Sequence, residues 1–306
     1  MKQKSLGKGL IYGCVSYVMW GLLPLYWHLL SAIDSLHILA CRILLSLILV
    51  GIILSITKNS AWLSVFRHPK KAGFMALTGF ILCGNWGLYI WAVNSGHTLD
   101  ASLGYFINPL VSVVLGLLFY KEHLLNMQWA AVAIASAGVI ILSIFSGTLP
   151  WIALALALTF GFYGLMKKKS PLSALESLGA ETLASVPVGF VLLFFAFNRA
   201  ESGSILPVFT GLGGLSYFTN LNIHVWLLIS IIGLVSALPL YLFAQSAKLL
   251  PLSTLGFAQF ISPTLQFLLG LFVFGESFPP HHFIAFAFIW VAVVIYIASL
   301  RKQPRQ

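Results

Sequence analysis

The sequence predicts an all-α, polytopic membrane protein, and three observations support this. Of the 306 residues, 59% are hydrophobic and 8% are charged, whereas soluble domains have roughly 45–50% apolar and about 25% charged residues. The mean hydropathy is +0.98. The apolar residues form runs of about 20, the length needed to cross a bilayer as a helix. A cytosolic enzyme, a nucleic-acid-binding protein and a secreted disulfide scaffold are therefore excluded, and the lipid bilayer is the expected environment.

Ten apolar runs of about this length follow one another, and we predict ten transmembrane helices. Their approximate bounds are 8–30, 36–57, 72–95, 100–120, 126–146, 148–166, 173–197, 223–247, 252–274 and 281–300. The first run follows three lysines, as in a signal peptide, but it is longer than a signal core and lacks a small-residue cleavage site. A tight turn is predicted at 147–150, and a long loop containing glycine and proline at 198–222.

The basic residues predict the orientation of the chain. With the N-terminus inside, 15 of the 17 Lys and Arg residues lie in inward-facing segments. Arg199 lies in an outward loop, and Arg42 lies within the second span. This bias predicts that both termini are cytoplasmic. The net charge of +10 is spread in short clusters between spans, so it does not indicate a nucleic-acid partner.

The two halves of the chain share a pattern at an offset of 154 residues. Phe-Ile-Asn-Pro at 106–109 aligns with Phe-Ile-Ser-Pro at 260–263, and Glu122 aligns with Glu276, without a gap over 17 positions. The fourth predicted span therefore resembles the ninth. This similarity predicts an internal duplication.

We predict from this duplication that residues 1–146 form one five-helix repeat and residues 147–306 a second. Because five is odd, the second repeat enters the membrane from the opposite side. Inverted repeats are typical of secondary transporters, which hold their substrate near the bilayer midplane. A duplicated scaffold without transport is the alternative. A single chain that holds both repeats favours a functional monomer, with a homodimer as the alternative.

Several longer motifs resemble the RarD-type permeases. They are GNWGLYIWAVN at 84–94, ASLGYFINPL at 101–110, LPLSTLGF at 250–257 and PTLQFLLG at 263–270. RarD-type permeases belong to the EamA group of the drug/metabolite transporter superfamily. The resemblance covers nearly the whole chain and implies a bacterial inner-membrane carrier with two inverted EamA repeats, which exports or exchanges small molecules. Where that family usually has His-Arg in its second helix, this chain has Cys41-Arg42.

Two ionisable side chains within the predicted spans are candidate functional groups. Arg42 lies about six residues into the second span, where a charge usually faces the bundle interior or a wet cavity. As an anchor it would bind a carboxylate or phosphate bidentately, which would suit an anionic or zwitterionic substrate. Snorkelling to the outer headgroups is the alternative. Glu181, in the seventh span, would either take up a proton during transport or form a structural hydrogen bond to a neighbouring helix.

Polar and aromatic side chains form stripes at helical spacing on the other spans. The candidate substrate-binding residues are Trp20, Arg42, Asn85, Tyr89, Tyr105, Asn108, Gln259, Ser262 and Gln266. Such stripes would line a polar cavity in which aromatic rings stack on a planar substrate, although Asn and Gln also join transmembrane helices without contacting a ligand. Pro109 and Pro263 lie at symmetric mid-helix positions and are candidate hinges, with static bends as the alternative.

The rival class is an intramembrane enzyme. The sequence contains no His-Glu-x-x-His zinc helix, no Gly-x-Ser-x-Gly elbow and no phosphate-binding loop. We therefore expect no catalytic site, no cofactor, no metal and no ATP-driven pump. The predicted function is secondary-active export or exchange of a small organic metabolite or drug by alternating access. An intramembrane enzyme or a non-transporting membrane scaffold is the alternative.

Overall fold

The computed structural model describes residues 2–31, 33–95, 97–146, 151–202, 222–277 and 279–300, and the regular structure in this part of the chain is helical. Each predicted apolar run coincides with a helix. The principal helices are α1 (Lys2–Leu29), α2 (Ser35–Ile56), α3 (Pro69–Asn94), α4 (Thr98–Tyr120), α5 (Asn126–Ser146), α6 (Trp151–Lys169), α7 (Ala174–Ala184 and Val186–Ser202), α8 (Ile223–Leu249), α9 (Leu252–Gln259 and Ile261–Phe272) and α10 (Pro280–Leu300).

Two helices run five or more residues beyond the predicted bounds. Helix α1 begins at Lys2, six residues before the apolar run, and α7 continues to Ser202, where a loop was predicted from residue 198. Polar residues can extend a helix beyond the hydrocarbon, so an apolar run marks the membrane-spanning length and not the helix end. The predicted turn at 147–150 and residues 203–221 of the predicted loop lie outside the described residues.

The helices have the length and composition of a multi-pass membrane protein. In the described ranges, eight helices are long and apolar enough to cross a membrane, namely α1 to α5 and α8 to α10. The two segments of α7 give a ninth span if they are counted together. Helix α6 occupies the position of the sixth predicted span but is not among these candidates, and it ends in three lysines. Ten spans therefore stay a prediction.

The chain folds into two compact units that differ from the predicted repeats. Unit 1 comprises Met1–Pro24, Leu88–Lys169 and Leu242–Gln306, and unit 2 comprises Leu25–Gly87 and Ser170–Tyr241. Each unit contains segments from both halves of the sequence. Compact units and sequence repeats are different divisions of a chain, so the repeat bounds 1–146 and 147–306 stay a prediction.

Unit 1 is built on close helix packing and an aromatic core. Helix α4 packs against α6 and the first segment of α9, and α5 packs against α10. Phe286 lies at the centre of the core, with ring centroids 5.1 Å from Phe106 and 4.0 Å from Phe267. The ring of Phe257 stacks on Tyr296 at 3.9 Å. Small residues allow these helices to approach, since a Cβ at Gly161 would lie 2.7 Å from Val111.

Helices α4 and α9 are followed by the same turn. Lys121 and Gly275, which are 154 positions apart, both have positive φ, at 50° and 66°. In each turn the N–H of the following glutamate donates to the carbonyl oxygen of the glycine six residues before it, at 3.2 Å and 2.9 Å. Hydrogen bonds that reach back over a left-handed residue to an earlier carbonyl are typical of helix C-termini. The backbone geometry supports the alignment of the fourth span with the ninth.

The two aligned glutamates nevertheless have different environments. The carboxylate of Glu122 accepts hydrogen bonds from the backbone N–H groups of Leu252 and Ser253, at 2.6 Å and 3.0 Å, and from the Ser253 hydroxyl at 2.7 Å. It therefore caps the N-terminus of α9, where unpaired N–H groups favour a negative charge. Glu276, its counterpart, is exposed.

Unit 2 packs α2 against both segments of α7. The first segment begins with a capping box, in which Ser173 N–H donates to the Glu176 carboxylate at 2.7 Å and Ser173 Oγ accepts from Glu176 N–H. The two segments are bent by 49°, whereas the sequence predicts one span. Pro187 explains the break, because it lacks the N–H that would bond to the carbonyl of Leu183.

We expect the Glu122 cap to contribute measurably to stability. Replacing Glu122 by Gln removes the charge from three hydrogen bonds, which should lower the free energy of unfolding by about 1–3 kcal/mol. Thermal unfolding of the purified protein in detergent would measure the loss. The matched control is Glu276→Gln, at the aligned exposed position, which should leave the melting temperature unchanged. Equal effects of the two substitutions would contradict the capping role.

Candidate functional site

A small polar cavity lies inside unit 2, where α2, α3, α7 and α8 meet. Its lining includes Arg42 and Ser46 of α2, Cys83 and Trp86 of α3, Glu181, Thr182 and Ser185 of α7, and Leu240 of α8. Its volume is about 10 Å³, which is roughly the room needed for one water molecule. The cavity brings together Arg42 and Glu181, the two ionisable candidates that the sequence identifies separately.

The guanidinium of Arg42 lies between two indole rings. Its central carbon is 3.8 Å from the ring centroid of Trp86 and 5.2 Å from that of Trp27, distances at which cation–π attraction is effective. Its Nε also donates a hydrogen bond to Ser236 Oγ at 3.2 Å. These partners belong to α3, α1 and α8, so the Arg42 side chain faces the interior of unit 2.

Glu181 lies on the first segment of α7, close to the break in that helix. It is 1% exposed, and its backbone carbonyl accepts a hydrogen bond from Ser185 Oγ at 2.8 Å. The Cys83 thiol pairs with the Ser185 side chain and lies within electrostatic range of both Glu181 and Arg42. The side chains of Arg42 and Glu181 therefore line the same small volume inside one unit.

The approach of α3 to α7 beside this cavity depends on a glycine. A Cβ at Gly79 would lie 2.4 Å from Ser185 Oγ and 2.6 Å from the carbonyl oxygen of Glu181. The carbonyl belongs to the helix backbone and cannot rotate away as a flexible side chain could. Because Gly79 has no side chain, α3 and α7 can approach closely enough for Cys83 and Glu181 to line the same cavity.

Two of the predicted binding residues on α9 bond to the backbone of α1. Ser262 Oγ donates to the carbonyl oxygen of Tyr17 at 2.6 Å, and Gln266 Nε2 donates to that of Trp20 at 3.4 Å. Hydrogen bonds of this kind join transmembrane helices. In this structure both side chains therefore join two helices. This is the alternative that the sequence leaves open beside substrate binding.

The remaining predicted binding residues lie mostly in unit 1. Trp20 is half-buried, with ring centroids 5.5 Å from both Phe160 and Phe243. Tyr89 and Tyr105 meet edge to face at 5.6 Å, and their predicted stacking on a planar substrate stays a prediction. Three further predicted residues are buried, namely Asn108 and Gln259 in unit 1 and Asn85 in unit 2.

The two candidate hinges differ from each other. Pro109 lies inside α4, which continues without a break from Thr98 to Tyr120. Helix α9 is interrupted at Phe260, three residues before Pro263. Proline lacks the N–H that would bond to the carbonyl four residues earlier, which explains the interruption. The hinge role of both residues stays a prediction.

Three residues that contact Arg42 are not among the candidates that the sequence predicts. Trp86 is adjacent to the predicted residue Asn85, and the helical spacing that selects Asn85 and Tyr89 leaves Trp86 on another face. Trp27 and Ser236 lie on α1 and α8, far from Arg42 in sequence. Within the described ranges, no group of three or more His, Cys, Asp or Glu side chains could hold a metal ion.

A multi-pass helical protein with ionisable side chains inside its spans has features of membrane transporters, and several of its relatives are named as transporters. The profile of the EamA-like transporter family matches residues 7–144. The chain is 42% identical to the uncharacterized transporter YojE of Bacillus subtilis, over 100% of this chain and 98% of that protein. It is also 42% identical to protein RarD of Streptomyces exfoliatus, over 97% and 90% of the two chains. The chain belongs to the RarD-type permeases of the EamA family.

The fold also matches a crystal structure. The likeness has a TM-score of 0.68 and covers 97% of this chain and 99% of that chain, at 19% sequence identity. At this identity, the likeness concerns the fold alone.

We expect a side chain at Gly79 to disturb the cavity. Gly79→Ala places a methyl group against the Glu181 carbonyl, so the free energy of unfolding should fall by about 1–3 kcal/mol. Denaturant unfolding in mixed micelles would measure it. Gly73→Ala is the matched control on the same helix, because nothing lies within 4 Å of its Cβ position; the free energy of unfolding should stay unchanged or rise slightly. If the two variants have the same free energy of unfolding, the close approach of α3 to α7 at Gly79 is not needed for stability.

Proposed function

We propose that the chain is a secondary-active carrier that exports or exchanges a small organic metabolite or drug by alternating access. Membership of the RarD-type permeases supports transport as the activity. That membership also supports a bacterial inner membrane, and the bias of basic residues supports both termini in the cytoplasm. A membrane scaffold and an intramembrane enzyme are the competing functions, and the experiments below distinguish them from a carrier.

The observation that carries this proposal is the shared cavity of Arg42 and Glu181. A charged side chain inside a span is costly, at about 2.5–3.5 kcal/mol at the centre on insertion scales, and Arg42 lies about six residues into its span. Packing alone needs neither charge, because apolar residues of similar volume fill the same space at no such cost. Charges placed inside spans typically mark the path of a solute or proton.

Arg42 is the proposed anchor for the substrate. A guanidinium binds carboxylate or phosphate oxygens through two parallel hydrogen bonds, so an anionic or zwitterionic solute would suit it. The nearby hydroxyl groups of Ser46 and Ser236, both buried, would supply further polar contacts. The cavity has about 10 Å³, so an organic solute enters only after the lining helices separate. Alternating access supplies such an opening.

The first test is a thermal-shift screen of the purified protein in detergent. The ligands are amino acids, nucleobases, organic anions and amphenicol drugs. A ligand that binds the folded form raises the melting temperature by mass action. For an anionic ligand, Arg42→Gln should weaken binding about tenfold or more, because it removes hydrogen bonds to a charged group. Arg67→Gln, at an exposed position of the same unit, should keep native affinity.

The outcomes separate the competing functions. A ligand that binds the native protein and crosses the bilayer in proteoliposomes supports a carrier, and its chemical conversion would instead indicate an enzyme. A ligand that binds Arg42→Gln as tightly as the native chain would remove Arg42 from the site. The absence of any binding or transport in the screen would favour the scaffold.

Glu181 is the proposed site of proton uptake. In proteoliposomes, the native chain should accumulate its substrate when a pH gradient is imposed. Glu181→Gln should keep solute exchange but lose the response to the gradient, because an amide takes up no proton. Glu276→Gln, at an exposed carboxylate, serves as the control and should respond like the native chain. A gradient response that survives in Glu181→Gln would exclude this role.

A further inference from the structure

Three consecutive lysines at the end of α6 occupy three different environments. Lys167 is fully buried. The Nζ of Lys168 donates to the carbonyl oxygens of Ala247 and Leu250 and so closes the end of α8. Lys169 is exposed, and its Nζ lies 4.9 Å from the centroid of the Phe119 ring. Only Lys169 of the three presents its charge outside unit 1.

A second exposed cation lies at the adjacent helix end. Lys121, which follows α4, is exposed. Its neighbour Tyr120 has its ring centroid 5.1 Å from the Nζ of Lys168, and α4 packs along α6. The ends of these two helices are therefore side by side, and both lie on the predicted cytoplasmic surface.

The one carboxylate close to these lysines in sequence is used elsewhere. Glu122 directs both its oxygens to the N-terminus of α9. Within the described ranges, no ion pair within 4 Å joins Lys121 or Lys169 to an acidic side chain. The charges of Lys121 and Lys169 are thus not neutralised by an acidic side chain of the described residues.

An exposed apolar strip leads up to the two lysines. On α4 it consists of Val114 and Leu118, and on α6 of Leu158 and Phe162, each pair spaced by four residues and exposed. Phe119 joins the two helices, since its ring meets that of Phe162 edge to face at 6.4 Å. We expect this exposed strip to face lipid chains, and its predicted cytoplasmic end carries two positive charges.

We propose that this surface, defined by Lys121, Lys169 and the apolar strip of α4 and α6, binds an anionic phospholipid. The lipid phosphate lies between the two ammonium groups, and an acyl chain lies along Leu118 and Phe162. Basic surfaces beside spans on the cytoplasmic side recognise acidic headgroups in this way. The lysine stems extend along the apolar surface towards the headgroup level. This site is separate from the Arg42 cavity and does not depend on the proposed transport activity.

Titration of lipids into the purified full chain, followed by native mass spectrometry, tests the proposal. Phosphatidylglycerol should bind more tightly than phosphatidylcholine with the same acyl chains. Each lysine near the surface should contribute about fivefold in affinity, so Lys121→Gln/Lys169→Gln should lose most of the preference. The control, Lys70→Gln/Lys71→Gln, removes the same charge from two exposed lysines of unit 2 and should keep it.

Further experiments identify the source of binding and control for misfolding. Glycerol phosphate, which lacks acyl chains, should not compete with the lipid; full competition would indicate an ion site and overturn the lipid proposal. Lys121→Arg/Lys169→Arg keeps both charges and should retain the preference even if the glutamine variant unfolds. Equal binding of the two lipids by the native chain, or equal losses in the glutamine variant and the control, would also overturn it.

Discussion

The hydrocarbon core of a membrane offers no hydrogen-bond partners, and this constraint accounts for most of the polar contacts in the structure. Each polar group inside the helices must find its partner within the protein. The hydroxyl of Ser246 donates to the carbonyl of Gly9 at 2.8 Å, and Ser262 donates to that of Tyr17. Both bonds connect α1 to a later helix of unit 1. A few hydroxyl groups therefore fix the register between helices whose apolar surfaces would otherwise slide.

The helix ends between α8 and α9, on the predicted cytoplasmic side, also find their partners within the protein. Four carbonyls at the end of one helix and four N–H groups at the start of the next lack partners within their helices. Lys168 reaches the carbonyls and Glu122 reaches the N–H groups. One cation and one carboxylate thus stabilise both sides of a single turn. Their charges also match the dipoles of the two helices, which strengthens each contact.

Arg42 is the most demanding case, because a full charge has to be accommodated. The two indole rings and Ser236 surround it with partners from three other helices. Its position therefore depends on how α1, α3 and α8 pack around α2. Any movement of one of these helices changes the environment of the guanidinium. The proposed binding at Arg42 would be coupled to the packing of unit 2 for this reason.

The sequence predicts the local features of this structure well and the contacts between helices poorly. Apolar runs locate the helices because hydrophobicity is a property of each segment. The offset of 154 residues anticipates the matching turns at Lys121 and Gly275 for the same reason. By contrast, nothing local pairs Arg42 with Trp27 or assigns Ser262 to the backbone of α1. Those contacts depend on which helix faces meet, which only tertiary packing determines.

The contrast between Glu122 and Glu276 shows what sequence symmetry leaves open. The two residues follow identical turns, yet one caps a helix and the other is exposed. Likewise α9 breaks before Pro263, whereas α4 runs unbroken through Pro109. Two repeats with equal conformations would form a symmetric molecule, open equally to both sides of a membrane. The proposed alternating access would need related halves that differ in any one state, and the aligned positions of this structure do differ from each other.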